Sequence, residues 1–281
     1  NQALIKAFSL SNAITSTYIF DKNYPHDFNA SSRAWFLGNS LKELGNNWKK
    51  MGSRLIMEEG DPVLIIPQLA NKIDAKFVFW NRSIEPYEIN RDLQIKKNLK
   101  EQNIQVIETW DHLLVEPLKI FSGNNNPYSV YGPFYKNLKS KMNLLGPYDQ
   151  DKVVFQFKDI DNKLKENKTI NSSDSVLEKF IKNIKFPGSN ICPCRPGENA
   201  AETLLENFIN EKKIYSYNSA RDFPSHNGTS FLSASLRFGT ISIRKVWNAT
   251  LNLNSDFANQ GNYLSIETWQ KELVWREFYQ H

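Results

Sequence analysis

The chain has 281 residues, 40% hydrophobic and 13% aromatic, which supplies a substantial core and argues against disorder. Lys and Arg number 35 against 30 Asp and Glu, a net charge of +5 that suits a polyanionic partner or a mildly basic soluble protein equally. Cys192-Pro-Cys194 is the one cysteine pair and the 4 histidines are scattered, so neither a disulfide framework nor a zinc site is indicated.

In chain order, Asn1–Leu10 reads as a helix. Short apolar or β-rich runs follow at Ala13–Phe20, Arg54–Met57, Phe77–Trp80 and Gln105–Thr109. Helical patterns lie between them. Leu37, Leu41, Leu44, Trp48 and Met51 make a stripe at spacings of three or four residues. Asp61-Pro62 supplies an N-cap with Pro at the first helical position, and Asn90–Lys100 continues as a charged helix. This alternation implies an α/β fold with βαβ units and a parallel sheet, although a helix stands where such a unit normally opens with a strand.

From Leu113 to about Arg195 the periodicity fails. "SGNNNPYSVYGPFYKN" and "KLKENKTINSSDS" read as a linker or a functional loop. Beyond Pro196 helices are expected at Ala200–Ile209, Ser233–Phe238, Ile241–Leu251 and Ile266–Tyr279. No run has the length and apolarity of a membrane span, and no signal peptide opens the sequence, so a cytoplasmic location without membrane or metal is expected.

No glycine-rich nucleotide loop, nucleophile elbow or H-E-x-x-H motif occurs. Two constellations remain. Thr229-Ser230-Phe231-Leu232-Ser233 puts three hydroxyls at a helix start, which serves an anion or simply caps the helix, and capping is the commoner use. On the closing helix Glu272, Trp275, Arg276 and Tyr279 share a face with Trp269 one turn earlier. An indole beside a carboxylate can stack on a nucleobase and bond its edge, while an amphipathic helix with a Glu272–Arg276 pair is the plainer account.

The motifs "PGENAA", "YNSARDFP", "GTSFLSASLRFGTIS" and "ELVWREFYQH" occur in the order found in the DNA photolyase/cryptochrome family, which the segment 196–281 resembles at the start of its helical FAD-binding domain. "GDPVLIIPQLA", "VFWNRSIEPY" and "NPYSVYGPFYKN" resemble the antenna domain and linker of microbial class I photolyases. The resemblance implies a Rossmann-like α/β antenna domain over 1–115, an interdomain linker over 116–195, and the beginning of an all-α domain over 196–281. It also implies that the first strand and most of the FAD-binding domain lie outside the sequence, leaving a fragment inactive by itself.

The implied activity is that of a lyase: light-driven repair of cyclobutane pyrimidine dimers by electron transfer from excited reduced FAD. Matching positions assign Tyr217, Thr229, Ser230, Phe231, Leu232, Ser233, Trp269 and Arg276 to FAD. Arg221 matches a DNA-backbone contact, and Glu272, Leu273, Val274, Trp275, Arg276, Glu277, Phe278 and Tyr279 match a DNA-facing stretch. Within it Trp275 stacks on the flipped dimer and Glu272 bonds a pyrimidine carbonyl edge. A second chromophore, methenyltetrahydrofolate or 8-hydroxy-5-deazaflavin, is implied near Arg33, Ser83, Glu88, Arg91 and Arg237. Arg33, Arg91 and Glu88 fit these patterns. Ser83 and Arg237 stand where deazaflavin binders carry Asp and Lys, and Tyr87 stands where folate binders carry Asn. The implied partner is ultraviolet-damaged DNA, bound by a monomer. A cryptochrome-type photoreceptor acting through partner binding is the alternative, disfavoured by the Glu272/Trp275 pair. An isolated nucleotide-binding α/β protein with a helical appendage is a third.

Overall fold

The computed structural model describes residues 1–11, 13–24, 31–117, 119–145, 173–184, 186, 190–251, 253 and 260–281. Most of "KLKENKTINSSDS" therefore lies outside the described residues. The chain forms two compact units, one of Asn1–Asp111 with Val153–Glu198 and one of His112–Lys152 with Asn199–His281.

The first unit alternates helix and strand: α1 (Gln2–Leu10), β1 (Ser16–Asp21), α2 (Ser31–Lys50), β2 (Leu55–Gly60), α3 (Pro62–Lys72), β3 (Phe77–Asn81), α4 (Pro86–Glu101) and β4 (Gln105–Thr109). β1 pairs with β2 in parallel from Ser16 opposite Leu55, and β3 with β4 from Phe77 opposite Gln105. Among the described residues these are two separate two-stranded sheets. Parallel neighbours cannot be joined by a hairpin, so each pair needs the helix between its strands as a crossover. β2 is apolar at its start because both faces are covered there: Leu55, Ile56 and Met57 are all buried, as are Ala70, Ile95, Leu99 and Ile104 on and beside α3 and α4. As expected, Asp61 caps α3, its carboxylate accepting from the Val63 N–H at 2.8 Å with Pro62 in the first turn.

The helix that opens the chain is tied to strand ends by the side chains of Asn81 and Asp111, the latter accepting from the Gln2 N–H at 3.2 Å. Asn81, at the end of β3, accepts through Oδ1 from the Ala3 N–H (3.1 Å) and the Thr109 hydroxyl (2.7 Å), and its Nδ2 donates to Asn1 Oδ1 at 3.0 Å. Asn1 Oδ1 in turn accepts from Leu4 N–H, capping α1.

The stretch expected as irregular contains two helices, α5 (Tyr131–Leu145) and α6 (Ser173–Lys182). Gly132 and Pro133 read as a turn, yet proline in a helix's first turn removes a donor that has no intrahelical partner. Phe134, Leu138 and Met142 recur every four residues and are 1%, 0% and 6% exposed, so α5 is a core helix of the second unit.

The second unit continues with α7 (Glu198–Asn210), a 3-10 turn (Lys213–Ser216), α8 (Tyr217–Ala220), α9 (Ser233–Phe238), α10 (Ile243–Leu251) and α11 (Gln260–Phe278). Phe208, Ile214, Leu232, Val246, Trp269 and Val274 join α5 in one core. Several polar groups inside it are matched, while the buried Ser235 hydroxyl has no hydrogen-bond partner among the described residues. Gln270 Nε2 donates to Thr250 Oγ1 at 2.7 Å, and that hydroxyl donates to the Trp247 carbonyl at 2.6 Å. Glu277, with no exposure, accepts from the Leu114 N–H at 2.8 Å and faces Arg276 Nη1 at 3.2 Å.

Two stability outcomes follow. Glu277→Ala leaves the Leu114 N–H and the Arg276 charge without their buried acceptor and is expected to cost about 3–5 kcal/mol, with Glu277→Gln costing less, in urea denaturation. Asp61→Ala should lose about 1 kcal/mol through the α3 cap alone, read as a lower urea midpoint at unchanged slope.

Candidate functional site

α11 carries opposite tasks on its two sides. Successive residues turn by about 100°, so Trp269, Leu273 and Glu277 fall together with Ile266 and Val274 nearby, and all five are buried. Glu272 and Tyr279 are exposed on the other side, with Trp275 half-buried between them. The expectation that the whole stretch faces DNA is therefore corrected for three residues. Leu273, Val274 and Glu277 are 6%, 0% and 0% exposed and are held by the core. Phe278 is half-buried against Phe134, with ring centroids 5.3 Å apart.

Arg276 also differs from its expected role. Its Nη2 donates to the His112 carbonyl at 2.9 Å and Nη1 meets Glu277, so the guanidinium serves the interior. Burial lowers its pKa from the ordinary arginine value, which the Glu277 charge partly offsets. Trp269 is 3% exposed and packs on Phe208 at 5.2 Å, offering no open ring face within this unit.

Beside the exposed face stands Arg221, whose Nη1 is ion-paired to Glu272 Oε1. Its Nε lies 3.6 Å from Asp222, and its guanidinium sits 5.9 Å from the Tyr217 ring. Burial opposes the charge on Arg221, but the Glu272 carboxylate outweighs it and holds the pKa above the ordinary value. Burial, then the Glu272 charge, raises the Tyr217 phenol.

The hydroxyl run is brought here by a close approach. A Cβ on Gly228 would lie 2.5 Å from the Ala220 Cβ, so only glycine lets this loop fold back onto α8. Thr229, Ser230 and Phe231 are half-buried, Leu232 is buried and Ser233 is exposed. Phe231 takes a left-handed φ of 54°. Leu232 is the N-cap of α9, and no side chain caps that helix, so the hydroxyls do not serve as its cap. As a donor set, three accessible hydroxyls beside an uncapped helix start suit the phosphates of FAD. Trp269 and Arg276, both engaged in the core, add nothing outward to that set.

A contact the sequence reading missed involves Tyr131 on α5. Its ring stacks on Trp275 with centroids 3.7 Å apart and planes 9° from parallel. Its hydroxyl donates to the Lys271 carbonyl at 3.0 Å. Spacing contained the signal: Tyr131 and Tyr135 lie four residues apart, one helical turn, in a segment read as loop.

In the first unit, two of the expected antenna residues, Glu88 and Arg91, gather near the carboxyl end of β1, where ligands of open α/β sheets bind. Glu88 accepts from the Tyr24 hydroxyl at 3.0 Å, and Tyr87 donates to Asp21 at 2.9 Å. Burial and that bond raise the Tyr87 phenol to about 12. Arg91 pairs with Asp92 at 2.8 Å while its charge also acts on Tyr87. Ser83 accepts from the Glu85 N–H at 3.0 Å, at the start of α4. Arg33 is exposed on α2, and Arg237 belongs to the second unit. Among the described residues no group of three or more His, Cys, Asp or Glu could hold a metal ion, and no helix is long and apolar enough to cross a membrane.

Comparison with known proteins bears on the family and the fold. The family described as DNA photolyase matches residues 1–153. A deoxyribodipyrimidine photo-lyase from a Synechococcus species is 37% identical over 254 residues, covering 90% of this chain and 51% of the relative. One from Agrobacterium fabrum is 30% identical, covering 100% and 56%. The chain thus spans about half the length of the curated relatives it matches. Among solved structures, a class III photolyase from Agrobacterium tumefaciens superposes with a TM-score of 0.78 at 28% identity, over 100% of this chain and 55% of that one. A Synechocystis cryptochrome shares the fold at a TM-score of 0.77 and 20% identity, over 100% and 57%. With a match over more than half of its length and relatives throughout the rest, the chain belongs to the DNA photolyase family.

Proposed function

We propose that the protein carrying this sequence repairs cyclobutane pyrimidine dimers in DNA with light. The observation that carries the reading is the face formed by exposed Glu272 and half-buried Trp275, with Arg221 ion-paired beside it. Trp275 offers a flat apolar surface to an extruded dimer, whose unstacking it offsets. Glu272, when ionised, accepts from a ring N–H next to the pyrimidine carbonyl. Arg221 brings positive charge to the place where negative charge develops on the dimer, and its fork also suits a backbone phosphate. The two roles compete for the same guanidinium, so phosphate binding loosens the hold on Glu272.

Tyr217 and the Thr229, Ser230 and Ser233 hydroxyls would hold FAD, whose phosphates match this donor set. FAD, when bound, supplies the photo-excited electron and takes it back once the two cyclobutane bonds have opened, so the repair is redox-neutral overall. The first unit is the antenna domain in this reading. Ser83, Glu88 and Arg91 at the strand ends would face a second chromophore, of folate or deazaflavin type. The class I assignment and a monomeric state belong to the same proposal.

The test is blue-light reversal of dimers in ultraviolet-irradiated oligonucleotides by the complete, flavin-loaded gene product. Repair is expected, and Glu272→Ala should bind the dimer about tenfold more weakly and repair less per absorbed photon. An unchanged quantum yield sinks the role given to Glu272. A flavin-loaded protein that repairs nothing is instead a blue-light receptor. Arg221→Ala should weaken damaged and undamaged DNA alike and flatten the salt dependence by about one counterion; a loss confined to damaged DNA rules out the phosphate role.

A further inference from the structure

We infer that Tyr131 is a positioning residue that makes Trp275 a one-sided stacking platform, so that a flipped pyrimidine dimer has one defined face to settle on. This rests on the repair reading above and adds to it a residue from outside the expected binding motifs.

The geometry is over-determined. The Tyr131 and Trp275 rings overlap at 3.7 Å and 9°, which leaves no room for a base on that side of the indole. The Tyr131 hydroxyl donates to the Lys271 carbonyl, the same carbonyl to which the Trp275 N–H is directed by the α-helical repeat. Ring and anchor therefore address one turn of α11 from two directions. One turn further along α5, Tyr135 donates to Glu267 Oε1 at 3.2 Å, and Lys139 and Lys271 face the same carboxylate at 3.5 and 3.1 Å. Lys139 and Lys271 also flank the Tyr135 ring, at 5.5 and 5.7 Å. This network fixes α5 against α11 and so fixes where Tyr131 stands. Phe278 meets both rings edge-on, 5.9 Å from Tyr131 and 5.7 Å from Trp275, and closes the stack at its inner rim.

An unsupported indole on a helix surface changes rotamer within nanoseconds and presents either face. Holding it flat beforehand removes an ordering cost from binding, and the benefit falls on ligands that stack. An undamaged duplex, whose bases stay paired and stacked, does not use the platform. Tyr131 should therefore raise selectivity for the dimer with little effect on general DNA affinity.

The test measures affinity for one oligonucleotide with and without a single thymine dimer, in the dark, with the complete flavin-loaded protein. Tyr131→Met, which fills similar space without a ring, should bind the dimer about five- to tenfold more weakly and leave undamaged DNA within about twofold. Tyr131→Phe keeps the stack and should restore selectivity to near the wild-type ratio. Flavin content and melting temperature serve as folding controls, and Tyr131→Leu replaces the Met variant if that one misfolds. Equal losses on damaged and undamaged DNA, a Phe variant no better than Met, or a Met variant with full selectivity each overturn the proposal. A wild-type protein without preference for the dimer overturns the repair reading, and this inference with it. A wild-type preference that Tyr131→Met leaves intact removes the inference alone.

Discussion

Helix α11 has to fill a core and present a chemical surface within the same five turns, and the rest of the second unit is arranged around that demand. A helix offers about 100° of rotation per residue, so two faces can differ completely if their residues alternate at the right spacing. The inner face is unusual in holding Ser265, Gln270 and Glu277 as well as apolar side chains. Each needs a partner, because an unmatched polar group indoors costs more than its bond returns. The partners come from Asn218, Thr250 and Leu114, segments far apart in sequence. Their bonds fix the rotation of α11 about its axis, and that rotation determines which residues reach solvent.

Much of the first unit was legible in its sequence because its strands are short apolar or β-rich runs set between helical patterns. The four strand runs fall on the observed strands with ends shifted by a few residues, and Asp61-Pro62 marks its helix correctly. The fold class followed from this alternation. α5 was not legible by the same logic. Its Gly, Pro, Tyr and Asn are turn-forming residues, and the Phe134, Leu138, Met142 stripe has only one apolar residue per turn. The start of α11 was missed as well, since its first turn is polar and mostly exposed and so shows no apolar stripe. At the site, Glu272, Trp275 and Arg221 could be named from motif and family resemblance. That Arg276 turns inward could not, because its partner is a backbone carbonyl at His112 that no pattern in sequence reports.

Both units place some of their polar groups at the ends of elements. Asn81, at the end of β3, bonds both the start of the chain and the end of β4, and Glu88, Tyr24, Tyr87 and Asp21 meet near the end of β1. Strand and helix termini leave backbone donors and acceptors without regular partners, so side chains able to bond them collect there.

The bond between Glu277 and Leu114 closes a loop of 163 residues. Loop closure on that scale precedes any reward from the contacts it makes, and chains dominated by distant contacts fold slowly. During synthesis from the N-terminus, α5 and the segment around Leu114 leave the ribosome long before α11 exists to cover them. At typical elongation rates of about 5–20 residues per second the wait is on the order of ten seconds. Phe134, Leu138 and Met142 are exposed apolar groups for that interval. Until α11 follows, those groups need cover from elsewhere, so exposure during synthesis is a consequence of the distance in sequence between α5 and α11.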